Sequence, residues 1–230
     1  MPNQALLPSS PSRRKHFLDK KNKQIVLATS NAGKLAEIRA ILGNETYNVI
    51  SQSKFELQDA EETGLTFVEN ALIKARHACE HTGLSAIADD SGLEVDALSG
   101  APGIYSARYA GVNASDQDNS KRLLSELKDI PENQRSARFW CVITYLRHAH
   151  DPSPIICQGS WEGHIAMSAS GNHGFGYDPI FLPTGFDGTA AELTPGQKNQ
   201  VSHRAQALVI LRDLFGTPTN HIDTSFDKCN

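Results

Sequence analysis

From Gln24 onward the apolar positions fall into two spacings, and each predicts a different element. The unbroken run Ile25–Ala28 predicts a buried strand, and Leu35, Ile38, Ile41 and Leu42 after it share one helical face that Gly43 would stop. Tyr47–Ser51 predicts a second strand, followed by the polar loop 54–65. Thr66 and Glu69 have capping-box spacing, and Val68, Ala71, Leu72 and Ala75 give the helix behind them its apolar stripe, closing near Gly83. A short apolar strand then ends on Asp89 and Asp90, and the segment 99–111 is too rich in Gly and Pro for a regular element. A helix over about Asp116 to Lys128 turns Leu123, Leu124 and Leu127 inward.

The β-branched and aromatic segment 137–149 predicts a long strand, with 154–166 as its hairpin partner. The Gly-rich 171–183 reads as a loop leading into a strand. The last helix begins near Val201, with Ala205, Leu208, Leu211 and Phe215 on the same side. This order of elements predicts an α/β fold built on a mixed sheet; a purely parallel, doubly wound sheet fits less well.

Size and charge narrow the function. The 230 residues suffice for one substantial core, and the formal charge of −4 gives no overall pull toward nucleic acid or membrane. The four cysteines, Cys79, Cys141, Cys157 and Cys229, show no paired spacing and read as free thiols in a reducing, cytoplasmic setting. No apolar run reaches the roughly 20 residues a membrane span needs. Residues 1–23 read as a flexible basic extension, 24–216 as a single domain and 217–230 as a tail.

Four polar clusters fall on loops or element ends. Thr29, Ser30, Asn31, Ala32, Gly33 and Lys34 place hydroxyls, an amide, backbone N–H groups and one ammonium where a strand gives way to a helix, which suits a phosphate. An ordinary capped turn has the same composition, and the spacing is not that of a P-loop. Glu61, Glu62, Asp89, Asp90 and Ser91 gather carboxylates of the kind a hard cation such as Mg²⁺ takes. Strand alternation sends Asp89 and Asp90 to different faces, so at most one would meet such an ion.

In the third cluster, Gly174 and Gly176 flank Phe175, ahead of Tyr177 and Asp178; the ring could stack on a planar heterocycle or simply plug the core. In the fourth, Lys198, His203 and Arg204 crowd a helix start, which is mildly unfavourable unless an anion offsets them. Lys74 could reach the same cleft or remain at the surface. One ligand would satisfy all four clusters: a nucleoside triphosphate with Mg²⁺.

In this order the segments "LATSNAGKLAEI", "AEETGLTFVENALIKARHA", "AIADDSGLEVDALSGAPGIYSARYAG", "GFGYDPIF" and "SHRAQAL" resemble the inosine/xanthosine triphosphate pyrophosphatases. Within them Ser30 stands where many relatives carry Gly. The resemblance implies an elongated mixed α/β fold of two lobes around a central cleft, assembled as a homodimer. It implies Mg²⁺-dependent hydrolysis of ITP, dITP and XTP to nucleoside monophosphate and pyrophosphate, which keeps these nucleotides out of DNA and RNA. Carried over by position, Thr29 to Lys34, Lys74 and Lys198 would hold the phosphates, and Glu62 and Asp90 the metal, with Asp90 the general base. Ser91, Phe175, Gly176, Tyr177, Asp178, His203 and Arg204 would line the substrate pocket, His203 and Arg204 reading the 6-oxo edge. Two alternatives stay open at this point: a pyrophosphatase of another base preference, and a nucleotide sensor without turnover.

Overall fold

The computed structural model describes residues 24–42 and 47–216. The expected basic extension, the Gly43 stop and the tail lie outside them. The described chain folds around one six-stranded sheet of spatial order β2-β1-β3-β4-β5-β6. Here β1 is Gln24–Ala28, β2 Asn48–Ser51, β3 Ser85–Val95, β4 Ser136–Leu146, β5 Ile155–Ile165 and β6 Phe181–Pro183. β1 runs parallel to β2 and β3, and the pairs β3–β4, β4–β5 and β5–β6 are antiparallel, so the sheet is mixed as expected.

Period-2 alternation organises the packing on both faces. Ile25, Leu27, Ile87 and Ile143 point to one face, where α1 (Ala32–Leu42) supplies Ile38 and Leu42 and α5 (His203–Leu214) supplies Leu208 and Leu211. Val26, Ala28, Ala86 and Ala88 point to the other, against Ala75, Ala78 and Cys79 of α2 (Phe67–Thr82). With both faces covered, β1 reads as a continuous apolar run rather than an alternating one. Beyond the middle of β3 a further core forms, where Leu93, Val95, Phe139 and Trp161 meet Leu123 and Leu127 at the end of α3 (Asp116–Glu126) and Tyr177, Ile180 and Phe181.

The helix boundaries follow their local chemistry. The Thr66 hydroxyl accepts the Glu69 N–H, and the Glu69 carboxylate accepts the Leu65 N–H at 2.7 Å. Gly83 closes α2 in the left-handed conformation. Ser115 and Asp118 form a reciprocal capping box at α3.

Three expectations change. The strand carrying Asp89 and Asp90 does not end there: it continues to Val95, because Leu93 and Val95 are buried and the whole segment pairs with β4. The Gly/Pro-rich segment 99–111 holds a short 3₁₀ turn, Gly103–Arg108, and another, Asp96–Leu98, comes just before it. The last helix, α5, begins at His203, close to the expected Val201, but a short helix not anticipated from sequence, α4 (Pro195–Val201), precedes it, and Ser202 separates the two with an extended backbone (ψ 158°) and a hydroxyl that accepts the Ala205 N–H.

Candidate active site

The start of α1 is built by two short-range hydrogen bonds. Asn31 Oδ1 accepts the Lys34 N–H at 3.0 Å, and the Asn31 N–H donates to the Thr29 hydroxyl at 3.2 Å. Ala32 and Gly33 therefore stand in a first turn whose amides lack intrahelical acceptors, and no acidic residue fills that turn.

Beneath it lies a chain of buried charges of alternating sign. Lys34 Nζ sits 2.5 Å from Asp89 Oδ1, and the other Asp89 oxygen accepts from Arg204 Nε at 3.1 Å and the Cys141 thiol at 3.0 Å. Arg204 also donates to Ser91 Oγ at 2.8 Å and to Glu37. Glu37 shares its carboxylate with Lys198 Nζ at 2.9 Å, and Lys198 Nζ reaches Asp178 Oδ2 at 2.5 Å. The series runs Lys34, Asp89, Arg204, Glu37, Lys198, Asp178. It explains the basic residues near the start of α5: the anions that offset them are Glu37, Asp89 and Asp178 of the protein itself.

Burial alone would raise the Asp89 carboxyl, yet Arg204, Lys34 and Lys74 together hold it far below the usual carboxylate range. Burial prevails at Asp178 and raises it despite Lys198. Burial, then Arg204 and Lys198, push His203 well below the usual imidazole value, so His203 is neutral.

Asp90, one residue along β3, faces α2 instead. Its Oδ1 accepts from Lys74 Nζ at 2.7 Å, and the same ammonium donates to Glu62 Oε1 at 2.9 Å. The second Glu62 oxygen is held by Arg108 Nη1 at 3.2 Å. The loop carrying Glu62 is fixed by buried Asn70, whose Oδ1 accepts the Gly64 N–H at 2.8 Å. Burial lifts the Asp90 carboxyl above its ordinary value in spite of Lys74 and Lys34. Glu62 goes the other way: burial would raise it, but Lys74 and Arg108 lower it.

Phe175 closes the far side. Its ring rests on Gly33, where an added Cβ would lie only 2.6 Å from the ring, and it covers Lys198 Nζ at 4.7 Å and the Arg204 guanidinium at 5.7 Å. The Asp178 carboxylate accepts the Phe175 N–H at 2.9 Å, and Asp116 at the start of α3 accepts the Gly176 N–H at 2.7 Å. These bonds hold the glycine-flanked loop open as a ledge.

Two adjoining cavities result. The first, about 100 Å³, is lined by Phe175 to Asp178, Phe139, His203, Arg204, Lys198, Ser91 and Ser106. The second, about 580 Å³, is lined by Thr29 to Asn31, Asp59, Glu61, Glu62, Lys74 and Arg108. Asn31, Lys34 and Ala107 belong to both and form the junction. The first cavity is aromatic. Phe139 and His203 stack at 4.8 Å with 11° between planes, and His203 Nδ1 is buried with no hydrogen-bond partner among the described residues. The second is polar and balanced: Lys34, Lys74 and Arg108 face Asp59, Glu61 and Glu62.

The structure thus gathers nearly every residue singled out from sequence. Thr29, Ser30, Asn31, Lys34, Lys74 and Glu62 line the polar cavity, and Ser91, Phe175, Gly176, Tyr177, Asp178, Lys198, His203 and Arg204 the aromatic one. Ala32, Gly33 and Asp90 line neither directly; Gly33 seats the Phe175 ring and Asp90 lies behind Lys74. Ser30 is exposed and donates to Asp59 at 2.6 Å. Sequence reading missed Glu37, Arg108, Asp116 and Phe139, and it did not see that Asp89 joins Lys34 to Arg204.

Comparison with known proteins places the chain among relatives. The sequence profile of the Ham1 family matches residues 25–214. A dITP/XTP pyrophosphatase of Salmonella typhi is 58% identical over 190 residues, covering 83% of this chain and 96% of that protein. One from Escherichia coli O157:H7 is 56% identical over the same coverage. The solved structure of a HAM1 protein from Coxiella burnetii superposes with a TM-score of 0.79 at 50% identity, covering 85% of this chain and 99% of that one. The Ham1 protein of Staphylococcus aureus gives 0.75 at 42%, covering 84% and 98%.

Proposed function

Since the chain belongs to the Ham1 family, we propose that its joined cavities hold the two halves of one nucleoside triphosphate, the ring by Phe175 and the phosphates along α1, Lys74 and Glu62. The protein is a nucleoside triphosphate pyrophosphatase, a hydrolase of non-canonical purine nucleotides of the dITP and XTP type. Its activity keeps such nucleotides from reaching DNA and RNA. The single observation that supports the placement is the pair of cavities joined at Asn31 and Lys34.

The residues at Glu62 and Asp90 fit a divalent cation. Both are carboxylates, and they already bracket one positive charge in Lys74. Mg²⁺ suits such a site, since it takes one or two carboxylates and fills the rest of its octahedron with water and phosphate oxygens. When bound there, the ion supplies charge neutralisation for the phosphates and an acidified water.

The balanced lining of the second cavity leads to the same need: three cations against three carboxylates leave nothing to offset a polyanion until a further cation arrives. Lys34 and Lys74 then bear on the phosphate chain, and the first-turn amides of α1 donate to its oxygens. Asp90, raised by burial, is suited to take a proton from the attacking water. Cleavage between the α and β phosphates releases monophosphate on the ring side and pyrophosphate on the Lys74 side.

For the ring, Phe175 offers a stacking face and His203 a neutral imidazole with an unmatched buried nitrogen. An N–H there can donate to a 6-oxo edge and would meet the 6-amino donor of adenine unfavourably. Arg204 is committed to Asp89, Glu37 and Ser91, so its part is to hold the pocket floor and His203 reads the edge. Within this reading the catalytic unit is residues 24–216, acting as a cytoplasmic homodimer. Turnover of ITP, GTP and ATP by wild type and His203→Ala tests the assignment: the preference for ITP over ATP narrows in the variant, and an unchanged ratio would remove His203 from base reading.

A further inference from the structure

We propose that Arg108 is a substrate-binding residue that grips the terminal phosphates and keeps hold of the pyrophosphate half; this rests on the reading of the second cavity as the phosphate site. The 3₁₀ turn Gly103–Arg108 lies directly on β3, because Gly92 has no side chain: a Cβ there would come within 2.3 Å of the Gly103 carbonyl oxygen. Ser106 locks the contact, accepting the Leu93 N–H at 2.9 Å and donating to the Gly103 carbonyl at 2.6 Å. This fixes the end of the turn over the junction. Ala107 lines both cavities, whereas Arg108 lines only the polar one.

The order of residues sets the order of phosphates. Lys34 stands at the junction, nearest the ring, while Arg108 stands beyond it beside Glu62 and Lys74. A chain that leaves the ring at Lys34 therefore brings its last phosphates to Arg108. The side chain is also the most accessible of the cavity's three cations, at 35% against 16% for Lys34 and 13% for Lys74. Among the described residues its guanidinium makes a single hydrogen bond, Nη1 to Glu62, and it lies 5.3 Å from the Tyr105 ring. Four of its five N–H donors remain for oxygens, in the planar fork that matches a phosphate. Lys34 and Lys74, by contrast, are already enclosed by carboxylates.

Titration calorimetry with inorganic pyrophosphate, and separately with IMP, in magnesium buffer tests this without turnover. Arg108→Gln weakens pyrophosphate binding at least ~10-fold, as loss of a charge-assisted contact should, and IMP affinity stays within about twofold; Arg108→Lys recovers part of the loss. In steady state the KM for ITP rises more than kcat falls. Pyrophosphate binding equal to wild type in Arg108→Gln would overturn the proposal, and so would an equal loss for both ligands, which would mark a purely structural role. A fall in kcat with unchanged pyrophosphate affinity would also overturn it, assigning Arg108 only to holding Glu62. Failure of the wild-type protein to cleave ITP would instead strike the functional reading, leaving the binding result interpretable.

Discussion

Asp89 and Asp90 are neighbours in β3 but face opposite sides of the sheet, Asp89 meeting Lys34 at 2.5 Å on the α1/α5 side and Asp90 meeting Lys74 at 2.7 Å on the α2 side. Strand parity thus divides two like residues between two tasks. Asp89 ties together the charged residues beneath the aromatic cavity, and Asp90 pairs with Lys74 of the polar one.

The first consequence concerns catalysis. Asp90→Asn keeps the size of the side chain and its acceptor oxygen for Lys74 but loses the base. Turnover of ITP falls by at least two powers of ten, since base catalysis contributes roughly 10²–10⁴, while the melting temperature changes little. Asp90 must be ionised to take the proton, so kcat/KM falls in acid, and Asp90→Asn loses that acid limb. Steady-state rates across pH, with circular dichroism as the fold control, check both statements.

Asp89→Asn has the opposite profile. Removing one partner from a buried ion pair costs about 3–5 kcal/mol, so the loss appears in chemical denaturation first. The pH dependence follows from the sign of the shift. The folded Asp89 carboxyl lies far below its unfolded value, so its contribution is fully present above the unfolded pKa of about 3.9. It is lost as pH falls through and below that value, where the unfolded chain takes up the proton first. His203, kept neutral by burial, begins to cost stability earlier, below about pH 6.5. The acid limb of the stability curve is shallower in Asp89→Asn than in wild type.

Lys74 lies between the two carboxylates that would hold a divalent ion. Lys74→Met removes that charge, and without nucleotide the protein binds Mn²⁺ more tightly than wild type does, while the KM for ITP rises. Mn²⁺ titration followed by electron paramagnetic resonance reads the first effect independently of activity. Equal or weaker binding in the variant would count against Glu62 and Asp90 as the ligands.

Phe175 tests the ring cavity. Base stacking on an aromatic is worth about 1–3 kcal/mol by alanine substitution, so Phe175→Ala raises the KM for ITP roughly 5- to 150-fold with a smaller change in kcat. Gly33→Ala acts on the same ring from below, because its methyl would meet Phe175. It should reproduce the KM effect in weaker form.

Much of this was legible in the chain before any coordinates, and the rest was hidden for physical reasons. Local patterns carried the strands, the cap at Thr66 and the opposite facing of Asp89 and Asp90, because period 2 and period 3.6 are properties of short segments. The extension of β3 to Val95 was hidden because "DDSG" has the composition of a turn, and only pairing with β4 overrides it. The short helix α4 before Ser202 was missed because "PGQKNQV" carries no apolar stripe of helical spacing to mark it. Glu37 and Arg108 came to light only in three dimensions. Their partners, Arg204 and Glu62, lie 167 and 46 positions away, distances at which spacing carries no information.

The most direct test of the central claim is product analysis of wild-type turnover with ITP, dITP, XTP, GTP and ATP at physiological Mg²⁺, with and without EDTA. The account predicts monophosphate and pyrophosphate in equal amounts from the first three, rates roughly ten- to a hundredfold or more lower for ATP, as an unmatched buried donor implies, and no products once the metal is chelated. Release of inosine diphosphate and orthophosphate from ITP, or undiminished turnover in EDTA, would contradict it.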